Sequence, residues 1–61
     1  MTNEGMLEKM RGPEWFHQFG PSKVQRMFVI GWNAASRWMD WLVDNGHAER
    51  IDDRPWEVRL L

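Results

Sequence analysis

A small, mostly helical fold closed by a C-terminal β-hairpin is the class that this sequence predicts, on three observations. Residues 22–46, SKVQRMFVIGWNAASRWMDWLVDNG, contain two amphipathic segments separated by Val29-Ile30-Gly31. They end on Asp44-Asn45-Gly46, with a glycine suited to the left-handed position after a helix. Further on, Trp56-Glu57-Val58-Arg59-Leu60 alternates apolar and polar residues with the period of a strand. A chain of 61 residues makes a single domain. At that size it buries only about 60% of the surface its unfolded form exposes, so its stability is marginal or helped by self-association.

From the N-terminus, Met6, Leu7 and Met10 have helical spacing, with Asn3 a candidate N-cap and Glu4 near the first turn, and Gly12-Pro13 stops any helix there. Pro13 suits a first helical position, and Trp15, Phe16 and Phe19 follow, so residues 13–19 are expected as a short helix that lays aromatic rings on the central pair. Gly20-Pro21 breaks the chain again. Ser22-Lys23-Val24-Gln25 then reads as a capping box that opens a helix with Val24, Met27 and Phe28 on its apolar face and Lys23, Gln25 and Arg26 outward. Gly31 allows a tight turn into the next helix.

That second helix, residues 32–45, carries the clearest signal. Ala35, Trp38, Met39, Leu42 and Val43 fall at i, i+3, i+4, i+7 and i+8, the spacing of one buried face. Opposite them Asn33, Ser36, Arg37, Asp40 and Asp44 form a stripe with no apolar member, which is either a solvated face or a reading surface. After Gly46, residues 47–51 suit a short strand, Asp52-Asp53-Arg54-Pro55 a turn, and the final alternation puts Trp56, Val58 and Leu60 on one face. Helix, turn, helix and terminal hairpin together are the plan of a winged helix-turn-helix. Its parts are an N-terminal segment with a short helix (1–20), the helix-turn-helix (21–46) and a β-hairpin wing (47–61).

Composition narrows the functions. There is no cysteine, and His17 and His47 have no paired spacing, so neither a disulfide nor a metal site is expected. No Ser-His-Asp, Cys-His or paired-carboxylate arrangement stands out, so no catalytic residue, cofactor or enzyme activity is expected. The N-terminus lacks a basic segment followed by an apolar run, and no stretch approaches the roughly 18 apolar residues of a membrane span, so the expectation is a cytoplasmic protein with no membrane partner. The net charge of −1 alone argues against a general nucleic-acid binder, but its distribution is uneven. Between Gly20 and Met39 the charges are Lys23, Arg26 and Arg37; from Asp40 to Asp53 they are Asp40, Asp44, Glu49, Asp52 and Asp53 against Arg50. A domain this small cannot hide all 5 of its tryptophans. Trp38 sits mid-face and belongs to the core, whereas Trp41 lies between the two faces and is the expected contact with a partner protein.

From Ser22 onward the chain resembles the C-terminal gamma domain of the FtsK/SpoIIIE family of DNA translocases. The resemblance is carried by Ser22, Val24, Gln25, Arg26, Phe28, Ile30, Gly31, Trp32 in a tyrosine place, Asn33, Ala35, Ser36 in an alanine place, Arg37, Met39, Asp40, Gly46 and the closing Glu57-Val58. It implies a winged helix whose second motif helix lies in the DNA major groove, with Asn33, Arg37 and Asp40 at the base-reading positions. An arginine can grip guanine O6 and N7 in a bidentate way, and a carboxylate can accept from cytosine N4. Trp32 would pack under the turn as the family tyrosine does. The chain departs from the family pattern at the twice-broken N-terminal segment, at Ala34 in a usually basic place, and at Asp52-Asp53 in the wing turn, whose charge Arg50 and Arg54 must offset. No Walker A glycine loop is present, so the expectation is a reader without a motor, of the small regulator type found in phages and mobile elements.

The leading expectation is therefore a sequence-specific double-stranded DNA-binding regulator. Asn33, Ser36, Arg37 and Asp40 would face bases, Lys23, Gln25, Arg26, Arg50 and Arg54 would face the phosphate backbone, and a homo-oligomer would add affinity. Three bland readings stand beside it: Asn33 as an N-cap, Arg37 paired with Asp40 or stacked on Trp41, and Asp40 as a plain surface carboxylate. The alternative function is a protein-binding module, an inhibitor or adaptor that grips a host protein through exposed tryptophan, Trp41 first, and the acidic distal end.

Overall fold

Pro21 sets the frame of the molecule. In the computed structural model, which describes residues 2–61, the helix α2 (Pro21–Phe28) starts on this proline, with Gly20 as its extended N-cap. Met1, the first residue of the expected N-terminal segment, lies outside the described residues. Pro21 has no N–H to leave unpaired and its φ is already helical, so the helix begins one residue before Ser22. Ser22 consequently sits inside the first turn, exposed, and the expected capping box does not form; no side chain caps this end.

The turn after α2 also differs from expectation. The left-handed residue is Val29 (φ 55°), not Gly31, which has φ −75° and serves as the extended N-cap of α3 (Trp32–Asp44). The Val29 and Ile30 amides both return to the Gln25 carbonyl, which closes α2. At the far end of α3, Gly46 has φ +77°, its amide donates to Val43 (3.1 Å) and the His47 amide to Leu42 (2.8 Å). This pair of bonds is a Schellman stop, as Asp44-Asn45-Gly46 predicts.

The N-terminal segment forms α1 (Asn3–Lys9), capped by the Thr2 hydroxyl accepting from the Gly5 amide at 3.0 Å, so Thr2 and not Asn3 is the N-cap. The expected helix over residues 13–19 shrinks to one 3₁₀ turn, Pro13–Trp15, because Phe19 leaves the helical course to pair with Val58. Beyond α3, β1 (Ala48–Ile51) and β2 (Arg54–Leu60) form an antiparallel hairpin around a turn at Asp52-Asp53, and the register shifts between Arg50 and Ile51. Arg54 and Pro55, expected in the turn, belong to β2. Phe19 and Val58 exchange both backbone bonds at 2.9 Å, so the chain before α2 adds a one-residue rung to the other edge of β2.

Three helices and a two-stranded hairpin thus enclose one core: Met6, Met10, Trp15, Phe19, Val24, Phe28, Ala35, Trp38, Met39, Leu42, Ala48 and Val58. Trp15 holds the N-terminal segment onto α2, edge-on to Phe19 (5.0 Å) and stacked on Phe28 (5.8 Å). The buried Trp38 indole N–H donates to the Met10 sulfur at 3.2 Å, which satisfies the donor and ties α1 to α3. Among the described residues no polar or charged residue is buried, so cohesion comes from apolar packing and from backbone bonds. Among the described residues no helix is long and apolar enough to cross a membrane.

Candidate functional site

Burial along α3 follows the helical period. Ala35, Trp38, Met39 and Leu42 are buried and Val43 is half-buried, whereas Asn33, Arg37, Asp40 and Asp44 are exposed and Ser36 is half-exposed on the hairpin side. The polar stripe therefore lies along the outward face of the helix. Gly31 caps α3, so Asn33 is not the N-cap; it stands in the first turn with its side chain free of hydrogen bonds among the described residues. Arg37, one turn further on, likewise has no ion pair with a described residue, so its guanidinium neither pairs with Asp40 nor is tied elsewhere. Ser36 lines a groove between α3 and the hairpin together with Pro21, Trp32, Met39, Arg50 and Trp56.

Asp40 differs from the other members of the stripe. Its carboxylate accepts a charge-assisted bond from Arg50 on β1, so a residue expected at bases and one expected at phosphates are joined to each other. Arg50 also donates to the Pro55 carbonyl at 3.1 Å. The other expected backbone contacts divide. Arg26 is exposed near the end of α2 and unpaired among the described residues, and Gln25 is half-buried. Arg54 is exposed and lies 3.9 Å from the half-buried Glu57, a loose pair. Lys23 folds back: its ammonium donates to the Glu14 carbonyl and stands 4.9 Å from the centre of the Trp15 ring, a cation–π contact that anchors the N-terminal segment.

The tryptophans are distributed differently from the expectation. Trp41 is half-buried and stacked between Trp38 (5.1 Å) and His47 (5.4 Å), on the wall of a groove that also includes Met6, Ile30, Ala34 and Arg37. Trp32 does not pack under the turn; it is 54% exposed at the first position of α3. Trp56 is 57% exposed although it shares the Val58 face of β2. It lies in the irregular stretch between the paired residues Arg54 and Val58, near the hairpin tip, where residues 52–56 are all exposed. Trp32 and Trp56 thus line one groove beside the polar stripe. Alternation along β2 assigns Trp56 a face but says nothing about how far the opposing layer extends, so no sequence signal marks this pair.

Among the described residues no group of three or more potential metal ligands occurs. Comparison with protein-family models, curated proteins and solved structures finds no match to this chain.

Proposed function

We propose that the chain is a winged helix-turn-helix domain that binds double-stranded DNA in a sequence-specific manner, with α3 in the major groove and the hairpin as the wing. The observation that carries this reading is the free outward face of α3, on which Asn33 and Arg37 are exposed and engaged by no described residue in the first two turns. Side chains at these positions can approach base edges, the amide of Asn33 as a bidentate partner for adenine and the guanidinium of Arg37 for guanine. The short turn between α2 and α3, the Phe19–Val58 rung beside the hairpin and the resemblance of residues from Ser22 onward to the FtsK/SpoIIIE gamma domain support the same reading. Arg26, with Arg54 released from its loose contact with Glu57, would meet phosphates. The setting that fits this role is the cytoplasm, and a homo-oligomer would raise affinity by placing two helices on successive half-sites.

Selecting duplexes from a random pool and titrating the winner at two salt concentrations tests the proposal. Tight, salt-dependent binding is expected, and Arg37→Ala is expected to cost about 1–3 kcal/mol and relax the preference at one base pair. Absence of binding at low salt, or an Arg37→Ala variant indistinguishable from the parent, rejects it.

Trp32 and Trp56 favour a second reading, a protein-binding module of the inhibitor or adaptor kind that captures a host protein. Trp41 contributes less to it than its sequence position suggests, being held between Trp38 and His47. Capture of one defined protein that is lost in Trp32→Ala and Trp56→Ala, from a chain that binds no duplex, would favour this reading over DNA.

A further inference from the structure

We propose that Arg50 is a positioning residue that latches the hairpin to α3, and that Asp40 acts through it, setting the attitude of the wing instead of accepting a hydrogen bond from a base. This inference rests on the DNA-binding reading above. Its geometric part is independent of that reading.

The planar guanidinium of Arg50 reaches two other elements at once. Nη2 donates to Asp40 on α3 and Nη1 donates to the Pro55 carbonyl at the start of β2, so one group joins α3, β1 and β2. It does so at the place where the hairpin ladder is interrupted. Register shifts between Arg50 and Ile51, and such an irregularity bends a strand and leaves local pairing weaker. On the inner side of the shift the hairpin is held by the buried Ala48 and Val58 and by the Phe19 rung. On the outer side residues 52–56 are all exposed, so burial does not fix the tip. The Arg50 fork is the polar tie that does reach this region from α3 among the described residues.

The fork also occupies Asp40. One carboxylate oxygen, Oδ1, is taken by the guanidinium, and the pair cancels a negative charge that would otherwise face phosphates. Side-chain exposures of 38% for Arg50 and 60% for Asp40 mean that the pair adds little stability, so orientation is the contribution that remains. Asn33 and Arg37 are then the readers, and Asp40 with Arg50 keeps the wing tip and Trp56 at a fixed angle to them.

A charge swap tests this. Asp40→Asn, Arg50→Gln and the double variant Asp40→Arg/Arg50→Asp are compared for discrimination between the selected duplex and a scrambled one. The indole N–H resonances of Trp32 and Trp56 are followed in the same proteins by NMR. Each single variant is expected to lower discrimination by roughly tenfold, the scale of one lost base contact, and to shift the Trp56 resonance; the swap restores both. An arginine at position 40 cannot accept from cytosine, so recovery in the double variant is incompatible with direct reading by Asp40. The proposal is overturned if Arg50→Gln leaves discrimination and the Trp56 resonance unchanged, or if Asp40→Asn relaxes one base pair while the swap fails to recover it. Should the parent bind no duplex at all, the DNA reading falls, and the Trp56 resonance alone decides the latch: displaced in the single variants and recovered in the swap, it stands, and unmoved, it is rejected.

Discussion

Val29 carries a conformation that its side chain disfavours. It is β-branched, has φ 55°, and is 88% exposed, so it packs against almost nothing in return. A left-handed residue other than glycine costs about 1–2 kcal/mol, and asparagine tolerates the region better through local hydrogen bonding. Val29→Asn is therefore expected to raise stability by about 1 kcal/mol, seen as a thermal midpoint about 4–8 °C higher by circular dichroism. An unchanged or lower midpoint would show that the turn is not strained. At this same scale the outward residues of α3 were visible before any fold: the exposure of Asn33 and Arg37 follows from a period of 3.6 imposed on neighbours that had to be buried. The partnership of Asp40 with Arg50 was not, because it joins residues on different elements.

Helix starts show how neighbouring residues compete for one role. Ser-x-x-Gln is a genuine capping pattern, but Pro21 takes the first helical position and moves Ser22 into the helix, so the cap never forms. Thr2, by contrast, accepts from the Gly5 amide and does cap α1. Ser22→Ala is accordingly expected to change stability by no more than about 0.5 kcal/mol, whereas Thr2→Ala is expected to cost about 1 kcal/mol. Chemical denaturation of the two variants beside the parent gives the comparison, and a larger loss at Ser22 would contradict this account of α2. The C-terminal stop of α3 was legible because Gly46 has no such competitor: a left-handed residue follows Asn45, and glycine is the residue suited to it. The 3₁₀ turn at Pro13–Trp15 was not, since Phe19 is drawn away by a strand 39 positions later in the chain.

The whole molecule is small, with a Cα radius of gyration of 10.4 Å; among the described residues no ion pair is buried, and the sequence has no cysteine for a disulfide. Phe16, Trp32, Trp56 and Leu61 remain exposed. If a homo-oligomer forms, as proposed, mass action makes its unfolding depend on protein concentration. The thermal midpoint is then expected to rise across a hundredfold increase in concentration, together with a larger sedimentation coefficient; constancy of both would show that the chain is monomeric. Sequence by itself determined the α2–turn–α3 unit, the buried and outward faces of α3, the Schellman stop and the presence of a hairpin, whereas on α2 Met27, expected on the apolar face, is exposed. Each of these follows from local periodicity or from the conformational preference of single residues. Tertiary structure alone decided the Phe19–Val58 rung, the return of Lys23 onto Trp15, the exposure of Trp32 and Trp56, and the Arg50 fork across α3 and the hairpin. Those features depend on how far one layer reaches over another, a distance that no pattern within a single element encodes.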